Sequence, residues 1–134
     1  MPQVKLLLRW AVVVGWMGLI WYLSAQPDLR SGLTPDFFLR KLAHIFEFAV
    51  LMLLVRAAWR GSAWPGSVPI AALWSFLYAL VDEWHQSFVP GRHGAVSDVV
   101  IDAVGIVLIS GALWYWQKKL SHPSGTTTDE KSKP

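Results

Sequence analysis

The sequence predicts an all-α membrane protein, a four-transmembrane-helix bundle with both termini cytoplasmic. Three observations carry that reading. Of 134 residues, 54% are hydrophobic and only 16% charged, where a soluble domain usually carries about 25% charged residues. Long runs without charge recur at lengths that cross a bilayer. Lysine and arginine are shared unevenly between the two sides that such crossings define. The length allows a single domain. The apolar content excludes disorder over most of the chain. The absence of Cys excludes a disulfide scaffold, a thiolate metal site and a thiol nucleophile.

The first helix is expected over 8–26. Trp10 to Pro27 is an uncharged run of 18 residues, about the length that spans the hydrocarbon core. A cleaved signal peptide is the competing reading, with Lys5 and Arg9 as its basic end. Cleavage after Ala25 would place Leu23 where a small residue is needed, so the segment reads as a span. The second helix, 40–59, carries Glu47 and Arg56 inside an otherwise apolar stretch and reads as a span with an internal acid. The third, 68–88, draws on the 21 uncharged residues from Gly61 to Val81. The fourth, 97–117, contains 15 uncharged residues from Ala103 to Gln117. The transmembrane domain thus covers 8–117. Residues 118–134, rich in Ser, Thr, Gly and Pro, read as a disordered cytoplasmic tail.

Orientation follows from the basic residues. Lys5, Arg9, Arg56, Arg60, Lys118, Lys119, Lys131 and Lys133 fall on one side, and Arg30, Arg40, Lys41 and Arg92 on the other. Eight against four places both termini in the cytoplasm. Trp10, Trp59, Trp64, Trp114 and Trp116 then sit near the inner interface, and Trp21 and Trp84 near the outer one, where amphipathic rings anchor. The net charge of +3 is therefore a topology signal, and no nucleic-acid partner is expected.

With that topology, seven of the nine acids gather on the outer half: Asp28, Asp36, Glu47, Asp82, Glu83, Asp98 and Asp102. Arg40, Lys41, His44, His85, Gln86, Arg92 and His93 accompany them, with Ser24 and Gln26 from the end of helix 1. Arg40, His44 and Glu47 stand at i, i+4 and i+7, one stripe of a helix. Glu47 lies about 10 Å along the axis from Arg40, below the headgroups. Asp98, Asp102 and Gly105 repeat the spacing, and Gly105 would admit another backbone closely. Asp82 and Gln86 are one turn apart, as are Glu83 and Gln86. Phe88 to Arg92 reads as a turn that returns Arg92 over the helix ends. An ionised carboxylate facing lipid costs roughly 2.5 kcal/mol or more, so Glu47 and Asp102 must face the interior, be neutral or be paired. Arg40–Glu47 or Arg92–Asp98 pairs that merely glue helices together are the structural alternative to a binding site.

Specific chemistries are less well marked. His44 and Glu47 form an H-x-x-E pair able to offer two metal ligands, but that spacing is common and no zincin pattern is present. No metal and no cofactor are expected. Asp82 and Glu83 as an acid/base pair point about 100° apart on a helix. Nothing orients Ser97, His93 and Asp98 as a triad. Gly15 and Gly18, continuing to Tyr22, read as a packing face.

The segments "RKLAHIFEF" and "DEWHQSFVPGRHGAVSDVVIDAVG" together resemble the VanZ-like family of small bacterial membrane proteins. Its pattern is met by Arg40, Lys41, His44 and Glu47, then Asp82, Glu83, Gln86, Phe88, Pro90 and Arg92, then Asp98 and Gly105. "YLSAQP" is similar to the family's Ser-Gln-Pro ending after helix 1, through Ser24, Gln26 and Pro27. The resemblance covers about residues 10–117. The family usually has Asn where this chain has Asp102, an added acid that raises the cost of the site unless a cation or proton compensates. The family name derives from a protein linked to resistance to the glycopeptide teicoplanin, so the resemblance implies the cell envelope as the setting.

The resulting expectation is an outward-facing polar pocket built from Arg40, Lys41, His44, Glu47, Asp82, Glu83, Gln86, Arg92, Asp98 and Asp102. Its partner would be a membrane lipid or cell-wall precursor headgroup. Arg40, Lys41 and Arg92 would take phosphate or carboxylate oxygens, and the acids would orient them and meet amines or hydroxyls. Two other classes use the same residues: an enzyme running acid/base chemistry on a headgroup, and a non-catalytic transporter or assembly partner.

Overall fold

The computed structural model describes residues 2–27, 34–59, 67–92 and 96–121. They form four helices: α1 (Pro2–Ser24), α2 (Thr34–Trp59), α3 (Ser67–Gln86) and α4 (Val96–Ser121). In lipid, backbone groups find no water, and a helix satisfies them internally. At about 1.5 Å per residue even α3, with 20 residues, reaches about 30 Å, the thickness of a hydrocarbon core. Two of the helices, over Gln3–Ser24 and Ser97–Leu120, are long and apolar enough by themselves to cross a membrane.

The helix ends differ from the sequence expectation in an understandable way. Apolar runs mark where a chain meets lipid, whereas helices continue beyond it. α2 begins at Thr34 rather than at 40, and Pro35, with its φ preset and no N–H to satisfy, suits a first turn. α4 runs on to Ser121, four residues past 117, with Lys118 and Lys119 in its last turn where cations complement the helix dipole. The rest of the expected tail, 122–134, lies outside the described residues. So do Asp28, Arg30, Arg60, Trp64 and His93, and the side chain of Asp36.

α2 and α3 form the antiparallel centre of the bundle. Both pack against α1 and α4, while α1 and α4 do not touch among the described residues. The core is strung along α2 through Phe48, Leu51, Met52 and Val55, closed by Val13 and Ile20 of α1, Ala71 and Ala79 of α3 and Ile106 of α4. The buried face of α3 is made of small residues, Ser67, Ala71, Ser75 and Ala79. Residues four apart on a helix share a face, so this stripe lets neighbouring helices approach. The outside is apolar: Leu7 and Val14 on α1, Leu73 and Leu77 on α3, Val107 and Leu108 on α4 are all exposed. An apolar exterior around a partly polar interior suits lipid as the surrounding medium.

Two hydrogen bonds fix α1 against the centre. The Trp16 indole N–H donates to the Glu47 carbonyl at 3.0 Å, and the Tyr78 hydroxyl donates to the Met17 carbonyl at 2.7 Å. Trp10 packs edge-on to Trp59 and Trp74 at 5.8 Å each, closing the far end. Tyr78→Phe, which removes only the hydroxyl, is expected to cost about 1 kcal/mol. A thermal midpoint in detergent indistinguishable from the parent's would show that this staple contributes nothing.

Candidate functional site

The opposite end of the bundle brings together the C-terminal ends of α1 and α3 and the N-terminal ends of α2 and α4. Two hydrogen-bonded groups occupy it. In the first, Asp82 of α3 is fully buried. Its Oδ2 accepts the Ser24 hydroxyl at 2.8 Å and the Gln86 amide N–H at 2.6 Å. Gln86 also reaches the Ser24 oxygen at 3.4 Å. The other end of the same amide, Oε1, accepts from Arg92 Nη1 at 2.9 Å. Gln86 therefore couples a buried carboxylate to a guanidinium, its donor turned to the acid and its acceptor to the cation.

Arg92 is delivered by local chain geometry. After α3 the chain forms a tight turn, Val89-Pro90-Gly91-Arg92, closed by Arg92 N–H donating to the Val89 carbonyl at 3.1 Å. Pro suits its second position, and its third requires positive φ, supplied by Gly91 at 80°. Val89 is buried beneath the turn.

The second group joins α2 to α4. These helices run parallel, so the two stripes read from the sequence face each other in step. Lys41 Nζ donates to Asp98 Oδ1, which also accepts from Ser97 Oγ at 3.2 Å. One turn deeper, His44 Nδ1 meets Asp102 Oδ1 at 3.1 Å. Just below, Gly105 lies against the backbone of Ile45, so close that a Cβ there would stand 2.3 Å from the Ile45 carbonyl oxygen. The missing side chain of Gly105 is what lets the acid stripe reach the basic one.

The two groups meet across the bundle interior. Glu47 is within electrostatic reach of His44, Asp82, Asp102 and Arg92, and Asp82 and Asp102 feel one another. Asp82 and Asp102 are 0% and 1% exposed, yet Asp82 Oδ1 and Asp102 Oδ2 have no hydrogen-bond partner among the described residues. Buried acceptors are rarely left so, since each costs about 1–3 kcal/mol. Glu47 is half-buried and its carboxylate takes no hydrogen bond among the described residues.

The residues anticipated for the site thus all lie at this end, Arg40 and Glu83 included, but the pairing differs from the pairs weighed as helix glue. Arg92–Asp98 does not form, because parallel packing hands Asp98 to Lys41. Arg40–Glu47 does not form either, Glu47 having no ion pair among the described residues. Asp82 and Glu83, although adjacent, are both buried, because α3 is covered on several sides. Two outer-end groups turn away: Gln26 bonds its own helix at the Tyr22 carbonyl, 3.0 Å, and His85 stacks on the Trp21 ring at 3.7 Å. The Trp21–His85 stack and the Trp16 and Tyr78 staples have no local sequence signature. Of the Ser97–His93–Asp98 alternative, His93 lies outside the described residues. No group of three or more His, Asp or Glu side chains that could hold a metal ion occurs among the described residues.

The family model described as VanZ/LLP1 matches residues 9–117. The chain belongs to the VanZ/LLP1 family. The match takes in α2 and α3 whole, most of α1 and α4 and every polar residue of the described centre, so this is a VanZ-like membrane protein and its polar end lies wholly inside the family domain. The chain is also similar to the uncharacterized membrane protein YwnJ of Bacillus subtilis, 38% identical over 98 residues, which are 67% of this chain and 65% of that protein. The VanZ-like chain therefore spans slightly less than two thirds of that relative's length. No solved structure matches it.

Proposed function

We propose that all four helices cross a bacterial cell membrane with both termini in the cytoplasm, and that the polar end is an outward-facing site for the headgroup of a lipid or cell-envelope precursor. The observation that carries this is the pair of buried, half-satisfied carboxylates, Asp82 and Asp102. Helices can be joined by apolar packing alone, and desolvating charge to join them is a poor exchange. Ionisable groups inside a membrane bundle that retain unused hydrogen-bonding capacity are suited to receiving something else. Arg40, Lys41 and Arg92 supply the positive charge for phosphate or carboxylate oxygens. His44, Glu47, Asp82, Glu83, Gln86, Asp98 and Asp102 hold those cations in place and meet the ligand's donors.

Orientation is tested with the absence of native Cys. A single Cys at Gln26, exposed at the polar end, is expected to react with an impermeant thiol reagent on intact cells, and one at Lys119 only after lysis. The reverse pattern would turn the site inward and remove envelope precursors as candidates.

Binding is tested by native mass spectrometry of the gently extracted protein beside an Arg92→Ala, Glu47→Ala double variant. A discrete adduct on the parent, absent from the variant, is expected, and its mass sorts lipid from precursor. Identical spectra from two folded proteins would refute retention of a headgroup at this end.

A further inference from the structure

The unused acceptors at the polar end have a specific complement. Asp82 Oδ1 from α3 and Asp102 Oδ2 from α4 are buried and without hydrogen-bond partners among the described residues. Glu47 from α2 lies within electrostatic reach of both, its carboxylate taking no hydrogen bond among the described residues. Asp82, Asp102 and Glu47, with Glu83 buried next to Asp82, thus share this interior with His44 and the Arg92 guanidinium, while Lys41 bonds Asp98. With Asp82, Asp102 and Glu47 all ionised, even a charged His44 and Arg92 would leave them net negative, a costly state inside a bundle. A cation carrying several N–H donors relieves both deficits together, the charge and the unfilled acceptors. The acids do not converge as a metal site would require, whereas N–H···O bonds of about 2.8 Å reach across a wider centre than metal–oxygen bonds of about 2.0–2.6 Å.

We propose that the headgroup bound here is zwitterionic, a phosphoethanolamine-type group. Its primary ammonium sits among Asp82, Asp102 and Glu47, and its phosphate lies beside Arg92. An ammonium brings three N–H donors, one each for Asp82, Asp102 and Glu47. Arg92, held to Gln86 at 2.9 Å and within electrostatic reach of Glu47, places positive charge next to that acid cluster. A phosphate joined to an amine by two carbons has the same alternation of charge. A quaternary ammonium such as choline matches the charge but offers no N–H. This inference rests on the headgroup reading above and narrows it.

The test uses the full chain, purified in mild detergent and offered equimolar phosphatidylethanolamine, phosphatidylcholine and phosphatidylglycerol, with the retained lipid quantified by native mass spectrometry. The ethanolamine lipid is expected to be preferred over the choline lipid about ten-fold or more, the difference that one or two charge-assisted hydrogen bonds make. Asp82→Asn and Asp102→Asn, which keep an oxygen for the existing donors but remove the charge, are expected to bring the ratio to about parity by the same reasoning. Should either fail to accumulate, Glu47→Gln carries the same expectation, because that carboxylate takes no hydrogen bond among the described residues. Soluble phosphoethanolamine added as competitor separates the two sources: displacement means the headgroup suffices, and no displacement beside a retained preference means acyl chains are also needed. Equal retention of all three lipids would overturn the ammonium assignment while leaving headgroup binding intact. Retention of none would overturn both.

Discussion

Replacing Gly105 by Ala is expected to cost about 3 kcal/mol, the upper end for forced overpacking, and to lower the yield of folded protein. The added methyl would stand 2.3 Å from the Ile45 carbonyl oxygen. That atom belongs to the backbone of a central helix, so no side-chain rotation can relieve the clash. α2 and α4 would have to separate, and separation stretches the His44–Asp102 and Lys41–Asp98 bonds just above. Stability and ligand retention should therefore fall together. Gly15 and Gly18 supply the control. A Cβ at either meets nothing within 4 Å, and Ala there is expected to stay within about 0.5 kcal/mol of the parent. Thermal midpoints in one detergent compare all three. A Gly105→Ala protein as stable as the Gly15→Ala protein would mean that α2 and α4 are not in backbone contact.

Asp82→Ala is expected to be the most damaging single change among the polar residues, at about 2–5 kcal/mol. It strands the buried Ser24 Oγ–H and leaves Gln86 Nε2 only its longer contact to Ser24 Oγ, lost bonds that cost about 1–3 kcal/mol each when a buried donor goes unsatisfied. It also frees Gln86 and with it the anchor of Arg92. Asp82→Asn behaves differently. Its carbonyl oxygen can accept both bonds, so the fold should survive with a loss of about 1 kcal/mol or less, while the negative charge is gone. A folded Asn variant that binds its ligand as the parent does would mean that Asp82 serves only to join α1 and α3. A folded variant that has lost the ligand separates structural from binding roles, which the Ala variant cannot do.

Much of this site was legible in the sequence. Arg40, His44 and Glu47, and likewise Asp98, Asp102 and Gly105, share a face because a helix turns about 100° and rises about 1.5 Å per residue. That rule needs no tertiary information. The role of Gly105 and the return of Arg92 through the Pro90-Gly91 turn followed from equally local chemistry. Gln26 and His85 were less legible. Both belong to the polar end by position, but rotation about their helices sends one to its own backbone and the other onto an indole ring.

What the sequence by itself determined is the helical class, the order of the four helices, and the gathering of acids and bases at one end. These follow from hydrophobic length, local periodicity and the cost of charge in lipid. Only the tertiary structure decided which acid meets which base. The partners are 57 and 58 residues apart, Lys41 with Asp98 and His44 with Asp102, and their meeting depends on α2 and α4 lying parallel and nearly touching. Only the tertiary structure, too, showed that Asp82 and Asp102 each keep one buried oxygen without a hydrogen-bond partner among the described residues. Side-chain pairing depends on helix rotation and separation to within an ångström or two, and those are set by the whole packed interior rather than by any single helix.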